Sequence, residues 1–440
     1  MDENKRVLVI SWYFPPVNSS EGLVTWKLIN HSKYSYDVYT QRKNNAWAYK
    51  QSELECGNNI KRIFSEEDDI NRFSEAAYQY YLRHRDEYDV VMTRSMPEAD
   101  HIAGLRIKAY NPSIKWIASF GDPVAQNPFT LQANRYYNAY SIRNAGRSKA
   151  LSPKRILRSA LYERRYKNSF ANNTVKKLES LQRQILENAD YVICNNKYEA
   201  RFLLNVFNIR NANNTFQADD KPLKIGEIPE DSSVAKTCII PHSFDASLYP
   251  EGVEHGDKIS FTYVGHLDNI RSPRTIFEAL LSMKEHDEAL KDKVQFDFYG
   301  NVGDEDKLFL MNNELLDIVR IHKHVDYLES LRIMKNSDWL LHIDADISRV
   351  IDKNIFFAAK LADYIGTGNK IFGITMIEGA AKDILREYGG LTVEHSASEA
   401  ANYLYKIIYE GYTVKINREA MVKYDARQVA FQFDELLAKM

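Results

Sequence analysis

Residues 356–374 read FFAAKLADYIGTGNKIFGI. A carboxylate, Asp363, stands in a short apolar stretch of helical pattern that ends at a Gly-Thr-Gly turn. Directly after the turn, Lys370 to Ile374 is a β-branched and aromatic run of the kind that makes a buried strand. A helix feeding a strand through a glycine turn is half of a βαβ unit. A carboxylate at that helix is where an α/β enzyme could grip the hydroxyls of a nucleotide ribose.

The same alternation extends outward in both directions. Arg6 to Ser11 (RVLVIS) is a continuous apolar run of the kind found in buried parallel strands; it breaks at Pro15-Pro16, passes a polar loop (VNSSEG) and enters a helical pattern from Leu23. Further strands are expected from Asp89, Lys115, Tyr191 and Thr237. Val175, Leu178, Leu181, Ile185 and Ala189 share one face of a helix leading into the Tyr191 strand. After Pro241 the pattern restarts, with strands from Ile259, Val294, Trp339 and Lys370 and helices over 275–283 and 327–335. Strands separated by helices describe a doubly wound α/β sheet, here twice over. The division is an N-terminal domain over 1–245, a C-terminal domain over 246–426 and a final helix over 427–440. That helix can pack back across either domain, the N-terminal one being taken here.

Length and composition agree. The 440 residues are 44% hydrophobic and 27% charged, which suits two globular domains of about 200 residues each. No stretch approaches the roughly 20 apolar residues that span a bilayer, and the N-terminal apolar run is too short for a secretory signal. The three cysteines, Cys56, Cys194 and Cys238, are far apart and form no CxxC pair. That excludes a disulfide scaffold and a zinc knuckle and suits a reducing cytoplasm. The chain also lacks a GxGxxG after its first strand, a Walker A lysine, an HExxH helix and a GxSxG elbow, which weakens dehydrogenase, P-loop, zinc-protease and hydrolase readings.

The net charge of −2 hides a strong local bias. Residues 127–170 carry Arg135, Arg143, Arg147, Lys149, Lys154, Arg155, Arg158, Arg164, Arg165 and Lys167 against Glu163, with tyrosines interleaved. Three readings remain open: a surface for anionic membrane or lipid phosphate, a solvated helical face, and nucleic-acid binding, for which no accompanying motif is present.

Phosphate chemistry is expected in the second domain. Gly265 follows the Ile259 strand and permits close backbone approach. Arg271 and Arg274 precede a helix whose positive N-terminus adds to their charge, and Lys360 stands one turn before Asp363. An ion pair between Lys360 and Asp363 is the structural alternative, and plain solvation is that for the two arginines.

These segments carry a family resemblance. YVGHLDNIRSP and FFAAKLADYIGTG resemble the donor half of GT-B glycosyltransferases, closest to glycosyltransferase family 4. SWYFPPVNSSEG, KWIASFGDP, ADYVICNN and IIPHSFD fall in the order the family shows. The resemblance implies two facing Rossmann-like domains with a cleft between them. It implies a retaining, metal-independent transfer of a sugar from a UDP- or GDP-sugar to a saccharide or lipid-linked acceptor, with no bound cofactor. The place is cytoplasmic, at the inner membrane face where the basic segment would dock, and nucleic acid is not a partner.

Position by position, Arg271 matches the family's basic residue on the donor diphosphate and Lys360 is a second candidate for it. Asp363 matches the later acid of the paired-glutamate motif, which grips the ribose. Gly265 matches the glycine beside the phosphates, with His266 and Leu361 carried alongside in the donor set. Gly22 matches the acceptor-side loop that approaches the donor, and Asp122 a polar position near the reacting sugar, where it is read as an orienting residue or as a turn cap. His242, His266 and His342 lie near strand ends and are read as satisfied polar residues rather than metal ligands. One departure stands out: the earlier acid of the pair falls at Ile355. Ala358 and Ala359 replace the usual Pro-Ser. The missing acid supports an alternative, a non-catalytic GT-B-like protein that binds a saccharide or a partner. A sugar-nucleotide epimerase of the same fold is a weaker option, which the acceptor-side motifs oppose.

Overall fold

The structure, a computed structural model, describes residues 5–17, 19–42, 54–131, 171–210, 236–253 and 256–440. Two parallel sheets organise them. The first has β1 (Arg6–Ile10), β2 (Ser35–Thr40), β3 (Ile60–Phe64), β4 (Val90–Arg94), β5 (Lys115–Ser119), β6 (Tyr191–Cys194) and β7 (Lys236–Ile239), in the order β3-β2-β1-β4-β5-β6-β7. The second has β8 (Ile259–Val264), β9 (Val294–Tyr299), β10 (Val319–His322), β11 (Trp339–Ile343), β12 (Lys370–Ile374) and β13 (Leu391–Val393), in the order β10-β9-β8-β11-β12-β13. The order in which strands are added reverses at β1/β4 in one sheet and at β8/β11 in the other. Ligands of such sheets bind outside the carboxyl ends of the strands at these switch points.

All of the strands expected from apolar runs except β7 lie inside their sheets, because strands covered by helices on both faces must be apolar throughout. Val7 to Ile10, Val90 to Arg94 and Trp339 to Ile343 are buried along their whole length. Four strands lay outside the sequence reading. β3, β10 and β13 are edges with partly exposed residues. β2 (SYDVYT) carries a buried Asp37, which Arg6 Nη2 and Tyr88 Oη each approach to 2.7 Å.

The opening segment folds as a helix Ala359–Thr367 followed by β12. The two glycines of its Gly-Thr-Gly turn have different reasons. Gly368 takes the left-handed conformation (φ 72°) that closes the helix. Gly366 stays inside the helix because the chain between the domains passes against it: a Cβ there would lie 2.5 Å from Phe244. The connection is doubled, since Phe244 pairs with the returning chain. Its N–H donates to Tyr424 O at 2.9 Å and its carbonyl accepts from Ala426 N at 2.8 Å.

The final helix, Ala426–Ala438, packs on the first domain. Phe433 stacks on Tyr36 at 6.5 Å, Lys33 N donates to Asp434 at 3.0 Å, and Lys5 Nζ donates to Leu437 O at 2.6 Å. One apolar core runs across the domain boundary, joining Trp26 and Ile29 of the first domain to Leu361 and Ile365 of the second. The basic residues 132–170 and the polar tract 211–233 lie outside the described residues.

Candidate functional site

The site is built where the two switch points face each other. On the second-domain side, β8 ends at Gly265 with φ 133°, and a Cβ there would stand 2.5 Å from Lys360 Nζ. Lys360 folds back onto Tyr263: its ammonium donates to the phenol oxygen and lies 4.1 Å from the ring centroid. Burial, then the neighbouring Arg271 guanidinium, pull the Lys360 pKa well below that of an ordinary lysine, and Asp344 opposes them. Arg271 is held at the head of its turn by Asp268, whose carboxylate accepts from the Ile270 and Arg271 N–H groups at 2.8 Å each. Its guanidinium lies 5.6 Å from the ring of Phe129, which belongs to the first domain.

The helix Ala359–Thr367 begins at Ala358, whose side chain offers no cap. Its first amides and positive dipole end therefore stand beside two cations. Charge, dipole and close backbone approach are the features by which such a combination can hold an anion. An anion placed between Lys360 and Arg271 would offset their mutual repulsion.

On the first-domain side, the Gly121-Asp122 turn is fixed at three points. Ser95 Oγ accepts from Gly121 N at 3.1 Å and donates to Asp122 O at 3.0 Å, and Asn195 Nδ2 donates to Gly121 O at 3.1 Å. Gly121 leaves room for the Arg94–Glu21 pair, whose Nε and carboxylate lie 2.9 Å apart. Burial, then Glu21, raise the Asp122 pKa to about 7, against the pull of Arg271 and Arg94. Asp122 thus senses a charge from each domain.

The remaining candidates have other surroundings. Gly22 lies in the first turn of the Ser20–Asn30 helix, against the backbone of Tyr13 and Phe14, and its N–H donates to the capping Ser19 Oγ at 3.2 Å. His266 is exposed and its carbonyl accepts from Tyr263 Oη at 3.2 Å. Leu361 is fully buried in the core and its N–H donates to Ala358 O at 2.9 Å. Arg274 turns outward to Asp306 at 2.9 Å and to the face of Phe309 at 4.2 Å. His342 pairs with Asp344 at 3.0 Å. His242 stacks on Phe357 at 5.2 Å, and burial, Arg94 and Lys27 bring its pKa down to about 3, so it is neutral.

Asp363 does not pair with Lys360. Its Oδ1 lies 2.5 Å from the Nζ of Lys27, a first-domain residue, and accepts from Tyr327 Oη at 2.9 Å. Ile355 is buried, and its carbonyl accepts across the boundary from Asn196 Nδ2 at 2.8 Å. Lys27, Tyr327, Arg94 and Phe129 escaped the sequence reading. The one signal was a lone lysine inside the apolar helical run LVTWKLI.

A separate cavity of about 350 Å³ opens between the domains at Tyr198, Pro241, Phe357, Ile384 and Tyr424. It is rimmed by ion pairs, Lys197 with Asp383 at 2.6 Å and Lys423 with Glu387 at 2.5 Å. Among the described residues, no three His, Cys, Asp or Glu side chains group as a metal site.

With two Rossmann-like domains and facing switch points, the chain has the GT-B fold. Solved structures of that fold align over its whole length. Sucrose-phosphate synthase from Thermosynechococcus elongatus aligns at TM-score 0.64 and 13% identity, over 99% of this chain and 98% of that one. An α,α-trehalose-phosphate synthase (UDP-forming) from Burkholderia xenovorans, in complex with glucose-6-phosphate, aligns at 0.58 and 11%, over 99% of each chain. The lipopolysaccharide outer core galactosyltransferase WaaB, in its apo form, aligns at 0.52 and 10%, over 99% and 100%. No protein-family model matches the sequence, and no curated protein matches it either.

Proposed function

We propose that the protein is a glycosyltransferase that moves a hexose from a UDP- or GDP-sugar to a saccharide or lipid-linked saccharide. Its class is the retaining, metal-independent one of glycosyltransferase family 4, and its context is synthesis of a bacterial-type surface glycan. The observation that carries this reading is the convergence of Arg271, Lys360 and an uncapped helix N-terminus at Gly265, opposite Asp122 across the cleft. The names of the structural neighbours support it, since they are sugar-phosphate synthases and a galactosyltransferase.

In the proposed reaction the bond between the sugar's anomeric carbon and the diphosphate oxygen breaks, and the acceptor oxygen bonds to the same face of that carbon. The acceptor's proton passes to the departing phosphate oxygen. Arg271 and Lys360 stabilise the charge growing on the diphosphate, which is where preorganised cations lower the barrier most. Asp122 orients the acceptor hydroxyl. Asp363 accepts from the ribose hydroxyls.

The experiment is a panel of nucleotide sugars incubated with purified protein, scored for release of nucleoside diphosphate. Arg271→Ala and Lys360→Ala should abolish it. No release and no binding across the panel would favour the second reading, a non-catalytic binder, which the buried Ile355 in the acid position motivates. The basic residues of 127–170 are proposed to dock the protein on the inner face of an anionic membrane. Among the described residues no helix is long and apolar enough to cross one. Neutralising that cluster should reduce sedimentation with anionic liposomes while leaving turnover on a soluble acceptor; unchanged sedimentation would remove the membrane role.

A further inference from the structure

Lys27 belongs to the first domain but ends in the second. It sits on the Ser20–Asn30 helix, whose residues from Gly22 to Ile29 are all buried. Its side chain is 1% exposed and Asp363 is 7% exposed, so the pair is sealed from bulk water on almost every side. The Tyr327 ring lies 5.1 Å from the Lys27 ammonium, and the Tyr327 hydroxyl donates to the same carboxylate oxygen that Lys27 holds. The Asp363 backbone is pinned as well, since Tyr249 Oη donates to its carbonyl at 2.7 Å. Both side-chain bonds fall on Oδ1.

A buried charge pair this isolated contributes little net stability compared with an apolar pair of the same size. What it does supply is orientation. With Oδ1 clamped by an ammonium and a phenol, Oδ2 is the carboxylate oxygen left to meet a ligand. The helix that carries Asp363 has its N-terminus at the anion site, one turn from Lys360. A nucleoside attached to an anion held there would reach Asp363 by extending along this helix.

We infer that Lys27 is a positioning residue for the donor nucleoside: by clamping Oδ1 from the opposite domain, it presents Oδ2 of Asp363 to the ribose hydroxyls. The inference rests on the proposed donor site and deepens it. The nucleoside pocket is then completed by the acceptor domain, and recognition of the ribose diol depends on a lysine that never touches the ligand.

The test is the discrimination between a nucleoside diphosphate and its 2′,3′-dideoxy analogue, measured by calorimetry with UDP and with GDP. Wild-type protein should bind the ribonucleotide at least about tenfold more tightly, a difference of about 1.4 kcal/mol. Lys27→Met should bring the ratio below about twofold, and Lys27→Arg should retain most of it. Because Lys27→Met leaves a buried carboxylate unpaired, the double variant Lys27→Met/Asp363→Asn is measured beside it; that variant restores a neutral interior and should also fail to discriminate. A Lys27→Met or double variant that keeps the wild-type ratio overturns the inference, whatever its thermal stability. Wild-type protein that binds neither UDP nor GDP overturns the donor-site reading itself, and the inference with it. Wild-type protein that binds both forms equally overturns the inference alone.

Discussion

The Lys360 ammonium occupies the space in which a side chain on Gly265 would begin: a Cβ there would stand 2.5 Å from Nζ. Glycine is required twice at this position, for the close approach and for φ 133°. Gly265→Ala should therefore lower stability by about 1–3 kcal/mol. It should also displace Lys360 and weaken nucleotide binding at least tenfold. Paired denaturation and binding measurements check both, and a variant with wild-type affinity would mean that Lys360 does not act from this position.

Lys360 itself should show function and stability pulling apart. Its side-chain nitrogen is held in a desolvated place beside Arg271, so Lys360→Met should leave stability unchanged or raise it by about 1 kcal/mol. Nucleotide binding should be lost. The pH dependence follows from the same cause. A lysine whose pKa is depressed in the free protein and recovers beside an anion takes up a proton on binding. Affinity for a nucleoside diphosphate should be highest at low pH and fall as pH rises toward the ordinary lysine value. Calorimetry in buffers of different ionisation heat reads the proton directly, and its absence would contradict the assignment.

Asp122 has a pKa raised from 3.8 to about 7. The folded state thus holds a proton between those values that the unfolded state has released, and the stability this gives is lost as pH rises through about 7. If Asp122 orients the acceptor as a carboxylate, transfer should rise over that same window. Asp122→Asn should flatten the rise, lower turnover by roughly 10² to 10³, and be more stable than wild type at pH 8. An unchanged pH profile would return Asp122 to the role of a turn cap.

Gly366 tests the domain connection. A side chain there meets Phe244, whose backbone is bonded to Tyr424 and Ala426. Gly366→Leu should cost about 1–3 kcal/mol by overpacking, with unfolding of both domains shifted together. Loss confined to one domain would show that the crossing chains do not couple them.

The sequence exposed those parts of the fold whose residues are chosen by burial alone. β1, β11 and β12 are largely apolar and buried on both faces and stood out as runs. The edge strands β3, β10 and β13 have one wet side, and β2 spends a core position on Asp37, so neither periodicity nor composition marked them. In the candidate site, Gly265, Arg271 and Lys360 could be picked out because each stands in a short stretch at a strand end or a helix start. Their mutual approach was not, since it depends on how β8 and β11 lie side by side. Lys27 and Asp363 are 336 residues apart. Only the docking of the two domains makes them partners, and the local pattern around Asp363 pointed instead to Lys360.

The most direct test of the central claim is calorimetric titration of wild-type protein and Arg271→Ala with UDP- and GDP-sugars. A donor site at Gly265, Arg271 and Lys360 predicts binding of at least one nucleotide sugar by the wild type and a loss of at least a hundredfold, about 2.8 kcal/mol, in the variant. Binding that Arg271→Ala leaves untouched, or no binding of any nucleotide sugar by the wild type, would contradict it.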